Sequence, residues 1–340
     1  MSWTVVPAQE FERHAARWQS LHAASAISPL LASDFVGALL DAFGSGAEKL
    51  AWYERDGTTE AMTVVTPTRF GMWETSQPAQ APVGLWLQRT AAAPVHLDGL
   101  ARALPGFALA VGVTQCDPML LARPADGGAL RTLDYIETAR ITLASDFDTY
   151  WNGRGKNLRN NLKKQRNRLR AEGVETRLEI LRAPHEMAAA VADYGRLEAS
   201  GWKAAGGTAV AADNAQGRFY RSMLEAFCQR GAGSVYRYWI GDRLAAMDLC
   251  VEGGGCLVVL KTAYDEGIDK QLSPALLMRE EACRFLFNER RFERIEFYGR
   301  IMEWHTRWTE EARTMYHLNR YRWPWLAHLH ARGAEPAAPA

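Results

Sequence analysis

The stretch SVYRYWIGDRLAAMDLCVEGGGCLVVLKTAY, residues 234–264, carries the clearest architectural signal in the chain. It divides into three runs rich in β-branched and aromatic residues: Ser234–Ile240, Leu244–Val251 and Cys256–Tyr264. Gly241-Asp242 and Gly253–Gly255 stand between them and have hairpin chemistry. The reading is a three-stranded antiparallel meander. Downstream, a loop over 265–272 leads to Ser273-Pro274 and a helix to about Glu289, then strands at Arg294–Tyr298 and Thr314–Tyr321. Upstream, apolar periodicity predicts helices over Gly217–Arg230 and Glu186–Trp202, and a strand at Thr176–Leu181. Phe147–Glu172 reads as helical, broken at Gly153–Gly155.

The first half is a rougher version of the same order. Helices are expected over Ala8–Ala23 and Phe35–Phe43, the second capped by Ser33-Asp34, and over Leu97–Leu104. Strands are expected at Leu50–Tyr53, Ala61–Val65, Val83–Leu87, Phe107–Val113 and Thr132–Leu143. Helices on a mostly antiparallel sheet make an α/β (α+β) class. Two tandem domains are expected, 1–144 and 145–332, with a frayed Ala/Pro-rich tail over 333–340.

Composition narrows the function. The 340 residues carry 40 Lys+Arg against 39 Asp+Glu, a net charge of +1, which excludes a uniformly basic nucleic-acid binder. No uncharged apolar run reaches the roughly 18 residues of a membrane helix. The N-terminus lacks the order of a signal peptide, so a cytoplasmic protein is expected. Five cysteines, none in a CxxC pair, argue against a disulfide framework or zinc knuckle. No GxSxG, HExxH or Walker pattern occurs, and the histidines lack ligand spacing, so no metal is expected.

Four stretches carry possible chemistry. Arg154, Lys156, Arg159, Lys163, Lys164, Arg166, Arg168 and Arg170 give a cationic helix face with Leu158, Leu162 and Leu169 on the other side. It reads as a phosphate-binding face or as a solvated amphipathic helix. Val258–Asp265 followed by Lys270–Leu277 is a strand, loop and helix start, where free N–H groups and the helix dipole suit a pyrophosphate. An ordinary helix capped by Ser273 is the competing reading. Glu198-Ala-Ser-Gly-Trp-Lys203 ends a helix as a substrate shelf or a C-cap. Tyr298–Trp308 is a loop dense in aromatic and titratable groups.

Together these stretches resemble the CelD/BcsL-type branch of the GNAT acyltransferases, also described as BioF-like acetyltransferase domains. The matching residues are Lys156-Asn-Leu-Arg-Asn-Asn-Leu, Glu198–Lys203, Phe219-Tyr220, Lys261–Asp265, Ser273-Pro274 with Leu276-Leu277, and Phe297-Tyr-Gly299 with Arg307-Trp308. The early Ser28-Pro29 segment resembles that family's N-terminal half. The resemblance implies two tandem GNAT-like domains, similar to Fem-type transferases. It implies transfer of an acyl group, usually from acetyl-CoA or another acyl-CoA as co-substrate, to an amine. The donor would lie in a splayed gap between two central strands. Val258, Leu260 and Thr262 would hold the acyl arm; Lys270, Leu272, Ser273, Ala275 and Leu276 would hold the phosphates. Ser273-Pro274 replaces the glycines of the usual phosphate motif.

Amine attack needs a base. Glu198, Asp265 and Glu303 are candidates; for Glu198 or Asp265 an ion pair with a nearby lysine is the competing reading. Tyr264, with Tyr298 second, is the candidate acid for the sulfur, and Lys261 would orient Asp265 or stabilise charge. Trp202, Lys203, Tyr298, Trp304 and Trp308 would wall the acceptor cleft. Three functions compete: an acyl-CoA-dependent N-acyltransferase acting on a small-molecule amine or amino sugar, a Fem-like transferase using aminoacyl-tRNA, and a non-catalytic factor of exopolysaccharide assembly. DNA is not an expected partner.

Overall fold

The computed structural model describes residues 2–69, 71–90, 92, 94–199, 210–211 and 213–327. The chain forms two compact units, Met1–Glu137 with Arg313–Ala340, and Thr138–Ala312. The tail 333–340 lies outside the described residues.

The first unit contains β1 (Ser2–Pro7), α1 (Phe11–Ala23), α2 (Ser33–Phe43), β2 (Lys49–Arg55), β3 (Thr58–Pro67), β4 (Met72–Thr75), β5 (Trp86–Gln88), α3 (Leu97–Ala103) and β6 (Ala110–Cys116). β7 (Leu130–Thr142) follows. The second unit adds α4 (Phe147–Asn152), α5 (Lys156–Ala171), β8 (Thr176–Leu181), α6 (Met187–Ala199), α7 (Ala215–Gln229), β9 (Gly233–Ile240), β10 (Arg243–Gly253), β11 (Cys256–Tyr264), α8 (Pro274–Glu289), β12 (Arg294–Phe297) and α9 (Glu303–Thr306). β13 (Ala312–Tyr321) pairs with β6 in the first unit.

In the first unit the strand order is β1-β2-β3-β4-β6-β13, with β5 on β3. In the second it is β8-β9-β10-β11-β12-β7. Each path is antiparallel except at one place, β4 beside β6 and β11 beside β12. The class is therefore α/β, with mostly antiparallel mixed sheet flanked by helices.

The meander forms where its turns allow. Gly241 sits at φ 58°, and Gly254 and Gly255 at 58° and 70°, the left-handed region that tight hairpins require. Helix α5 buries Leu158, Leu162, Gln165 and Leu169 on one stripe and leaves its Lys and Asn residues in solvent. Those leucines join a core of Tyr236, Tyr238, Leu277, Leu286 and Trp308. Burial of each leucine contributes about 1.5–3 kcal/mol.

Two caps differ from expectation. Ala32, not Ser33 or Asp34, occupies the N-cap of α2. Ser273 occupies the N-cap of α8 but makes no side-chain cap bond, because its hydroxyl is met by Gln165 Nε2 at 3.4 Å. All five cysteines are buried and none is in a disulfide. Among the described residues, no helix is long and apolar enough to cross a membrane, and no metal-ligand cluster of His, Cys, Asp or Glu occurs.

Candidate active site

β11 and β12 pair in parallel only over Cys256–Val258 against Arg294–Glu296. On its other edge β11 changes register: Lys261 faces Leu249 but Val259 faces Cys250, so Leu260 is bulged. A bulge bends its strand and leaves a residue out of the ladder. Past Val258 the strand parts from β12, whose Phe297 pairs with Ala139 of β7. A cleft of about 770 Å³ opens in the gap. Leu260, Lys261, Thr262 and Tyr264 line one wall, and Leu272, Ser273, Ala275 and Leu276 line the start of α8. Phe297, Tyr298, Glu303, Trp304, His305 and Trp308 line the opposite side.

The structure thus brings most residues expected at the donor into one cleft. Val258 is excluded: it is fully buried in the sheet opposite Glu296. Lys270 is exposed and does not line the cleft. The helix start is also less open than a bare N-terminus. The Ser273 N–H donates to Gln165 Oε1 at 2.8 Å, Pro274 has no N–H, and the Leu276 N–H donates to the Ser273 carbonyl at 3.0 Å. The Ala275 N–H keeps no protein acceptor among the described residues. Gln165 sits on the buried stripe of α5, so this helix closes one side of the seat.

The expected catalytic set is split. Tyr264 lines the cleft and is largely exposed. Asp265 lies off the cleft, paired with Arg243 at 2.5 Å and accepting the Gly267 N–H at 2.8 Å. Lys261 does not orient it. Lys261 instead pairs with Glu198 at 3.1 Å. Glu198 is buried and also accepts the Val210 N–H at 2.8 Å, so it anchors Lys261 from behind rather than facing the cleft. Glu198 and Asp265 thus each stand in an ion pair, the competing reading for both, though the partner of Asp265 is an arginine. Glu303 lines the cleft but is exposed and paired with Arg307 at 2.7 Å. Tyr298, Trp304 and Trp308 wall the cleft; Trp202 and Lys203 lie outside the described residues.

Sequence reasoning missed two groups. Arg279, a buried residue of α8, lines the cleft and pairs with the fully enclosed Asp248 of β10 at 2.8 Å. Thr262 bridges them, donating to Asp248 at 2.5 Å and accepting from Arg279 at 3.3 Å. His305 is 6% exposed and stacks on Trp304 with centroids 3.6 Å apart. Its Nδ1 accepts the Met302 N–H at 2.9 Å. Burial, with the Arg279 charge nearby, lowers its pKa to about 4, so the imidazole is neutral at pH 7.

The cationic face of α5 is partly spent within the fold. Arg166 pairs with Glu280 at 3.1 Å and Arg168 with Asp269 at 2.7 Å, and Arg154, just before the helix, pairs with Glu310 at 3.0 Å. Lys156, Lys163, Lys164 and Arg170 remain exposed.

Residues 156–306 match the model of the Acetyltransferase (GNAT) domain family. No curated protein matches the sequence. Among solved structures, FemX aligns over 97% of this chain and 99% of its own at 8% identity, with a TM-score of 0.56. L-PGS from Bacillus licheniformis aligns over 93% and 96% at 13% identity, with a TM-score of 0.53. The C-terminal DUF2156 domain of an Agrobacterium fabrum protein aligns over 95% and 96% at 11% identity, with a TM-score of 0.56. At such identities the likeness is one of fold. The domain match supports an acyltransferase enzyme.

Proposed function

We propose that the protein is an N-acyltransferase that moves an acyl group, acetyl first, from acyl-CoA to a primary amine of a small molecule or amino sugar by direct attack. The observation that carries this reading is the cleft at the β11 bulge, within the stretch that matches the acetyltransferase domain. The bulge leaves Leu260 without a register partner on β10, and its backbone N–H is our candidate donor to the thioester carbonyl. The Ala275 N–H and the dipole of α8 favour a phosphate. Tyr264 protonates the leaving sulfur, and the Lys261 ammonium, fixed by Glu198, adds positive field. Tyr298 and Trp304 hold the acceptor. We read the chain as tandem GNAT-like repeats, 1–144 and 145–332, in the cytoplasm, with an amine of exopolysaccharide assembly as the acceptor that the CelD/BcsL resemblance favours.

The filled helix start supports a second reading. With the Ser273 N–H committed to Gln165, a diphosphate finds few amides, while the exposed cations of α5 lie on the helix that carries Gln165. That arrangement suits the phosphates of an aminoacyl-tRNA, the donor used by Fem-type transferases.

Calorimetric titration with acetyl-CoA and with alanyl-tRNA separates the two. Saturable acetyl-CoA binding, with thiol release stimulated by glucosamine or another primary amine, is the expected result. Binding of alanyl-tRNA alone, with log Kd rising linearly with log salt, selects the second reading. Binding of neither donor refutes acyl transfer. Tyr264→Phe lowers turnover at unchanged melting temperature if the tyrosine is the acid; equal turnover removes that role.

A further inference from the structure

The 297–308 side of the cleft collects hydrogen-bond donors. His305 is held as a reciprocal cap: it is the third residue of α9, and its Nδ1 accepts the N–H of the N-cap Met302 at 2.9 Å. That bond occupies the Nδ1 lone pair, so in the neutral ring the proton resides on Nε2. Nε2 has no protein partner among the described residues, and the ring lines the cleft. Trp304 stacks on one face and Phe297 meets the ring edge-on at 5.5 Å, so the orientation is fixed. Three residues on, the Trp308 indole N–H is buried without an acceptor among the described residues, in the same lining. Arg279, beneath, is likewise donor-only. A buried donor with no acceptor, as at Trp308, is costly, and an ordered water or a ligand atom can meet it. The missing partner is an oxygen.

We propose that His305 is a catalytic hydrogen-bond donor, whose Nε2–H binds the carbonyl oxygen of the acyl group undergoing transfer and holds the oxyanion that forms there. The inference rests on the acyl-transfer reading, and is indifferent to whether the donor is a thioester or an ester. The amine nitrogen bonds to the carbonyl carbon, and the carbonyl π pair moves to oxygen, where Nε2–H meets it. The pair returns, the C–S or C–O bond breaks with its electrons on the leaving group, and the proton lost by the amine ends on that group. His305 gains and loses no proton, which suits a neutral ring with its accepting nitrogen engaged. An imidazole kept neutral polarises a carbonyl without entering the proton transfers.

His305→Gln and His305→Glu test this. Either side chain, at the third helical position, can accept the Met302 N–H. Only Gln keeps a donor. The expected result is Gln within tenfold of the wild type in kcat and Glu lower by about 10²–10³-fold, the usual cost of losing one oxyanion donor. Both are assayed with acetyl-CoA and with alanyl-tRNA, using whichever the wild type turns over. ¹⁵N NMR of the unliganded protein should show the Nε2–H tautomer from pH 5.5 to 8. Equal activity of the two variants means a capping role alone and overturns the proposal. An inactive Gln variant beside an Nδ1–H tautomer, or a ring titrating near pH 6.5, makes His305 a base and overturns it too. A wild type inactive on both donors refutes the acyl-transfer reading and takes the inference with it; an active wild type with indifferent variants refutes the inference alone.

Discussion

Asp248→Asn isolates the buried ion pair beneath the cleft. The substitution keeps the size of the side chain and an acceptor for Thr262, but removes the charge that faces Arg279 at 2.8 Å. Both side chains are nearly sealed, 1% and 4% exposed, so water cannot take over from the carboxylate. With charge centres roughly 4 Å apart and an effective dielectric near 20, the lost attraction is about 4 kcal/mol. Removing one partner of a buried pair typically costs about 3–5 kcal/mol, in agreement. For a unit the size of Thr138–Ala312, each kcal/mol shifts the melting temperature by roughly 2–4 °C, so a fall of about 6–20 °C is expected. Urea unfolding followed by tryptophan fluorescence should show a lower midpoint at unchanged slope. The double variant Asp248→Leu/Arg279→Met should cost less than Asp248→Asn alone, because no charge is then stranded. A cost below about 1 kcal/mol for Asp248→Asn, or a double variant equal to the sum of its singles, refutes the reasoning.

Acid should weaken the fold through His305: the unfolded ring takes a proton below pH 6.5, whereas the folded one waits until about 4. Its contribution therefore makes stability fall across that window and level off below it, by about 3 kcal/mol in all, and the difference between wild type and His305→Gln in urea midpoints at pH 7 and pH 4.5 measures most of it. Gly195→Ala places a methyl 2.3 Å from the Val210 carbonyl, whose N–H holds Glu198; a loss of about 1–3 kcal/mol is expected, and an unchanged melting temperature would contradict the packing. Leu162→Ala, at a fully buried position of α5, should cost about 2–5 kcal/mol by denaturant unfolding. Asn214→Ala removes the side chain that accepts the Gly217 N–H at 2.8 Å and should cost about 1 kcal/mol, measured the same way.

The meander was legible because glycine turns and β-branched runs are local signals, and the break between α4 and α5 was legible for the same reason. β1, β4 and α9 escaped, being short or without a clean period. The strand, loop and helix order around Ser273 was local enough to read. What could not be read was which charges the fold would consume. Asp265 meets Arg243 from 22 positions away and Glu198 meets Lys261 from 63, distances at which sequence proximity says nothing. Gln165 falls on the apolar stripe of α5, and only the fold shows that it takes the Ser273 N–H from across 108 residues. His305 stood inside the quoted loop, but a single histidine has no spacing to announce it. The bulge at Leu260 depends on register against β10, a property of the pair and not of either strand.

The pairing of β13 with β6 completes the strands of the first unit with one encoded after the whole of the second. A ribosome must therefore add about 200 residues beyond Cys116 before the strands of the first unit are complete, since Tyr316 docks on Cys116. At 5–20 residues per second that interval is about 10–40 s, during which the edge of β6 has no β13 to cover it. A clone cut after residue 144 would carry β7 but never β13, and would present that bare edge permanently.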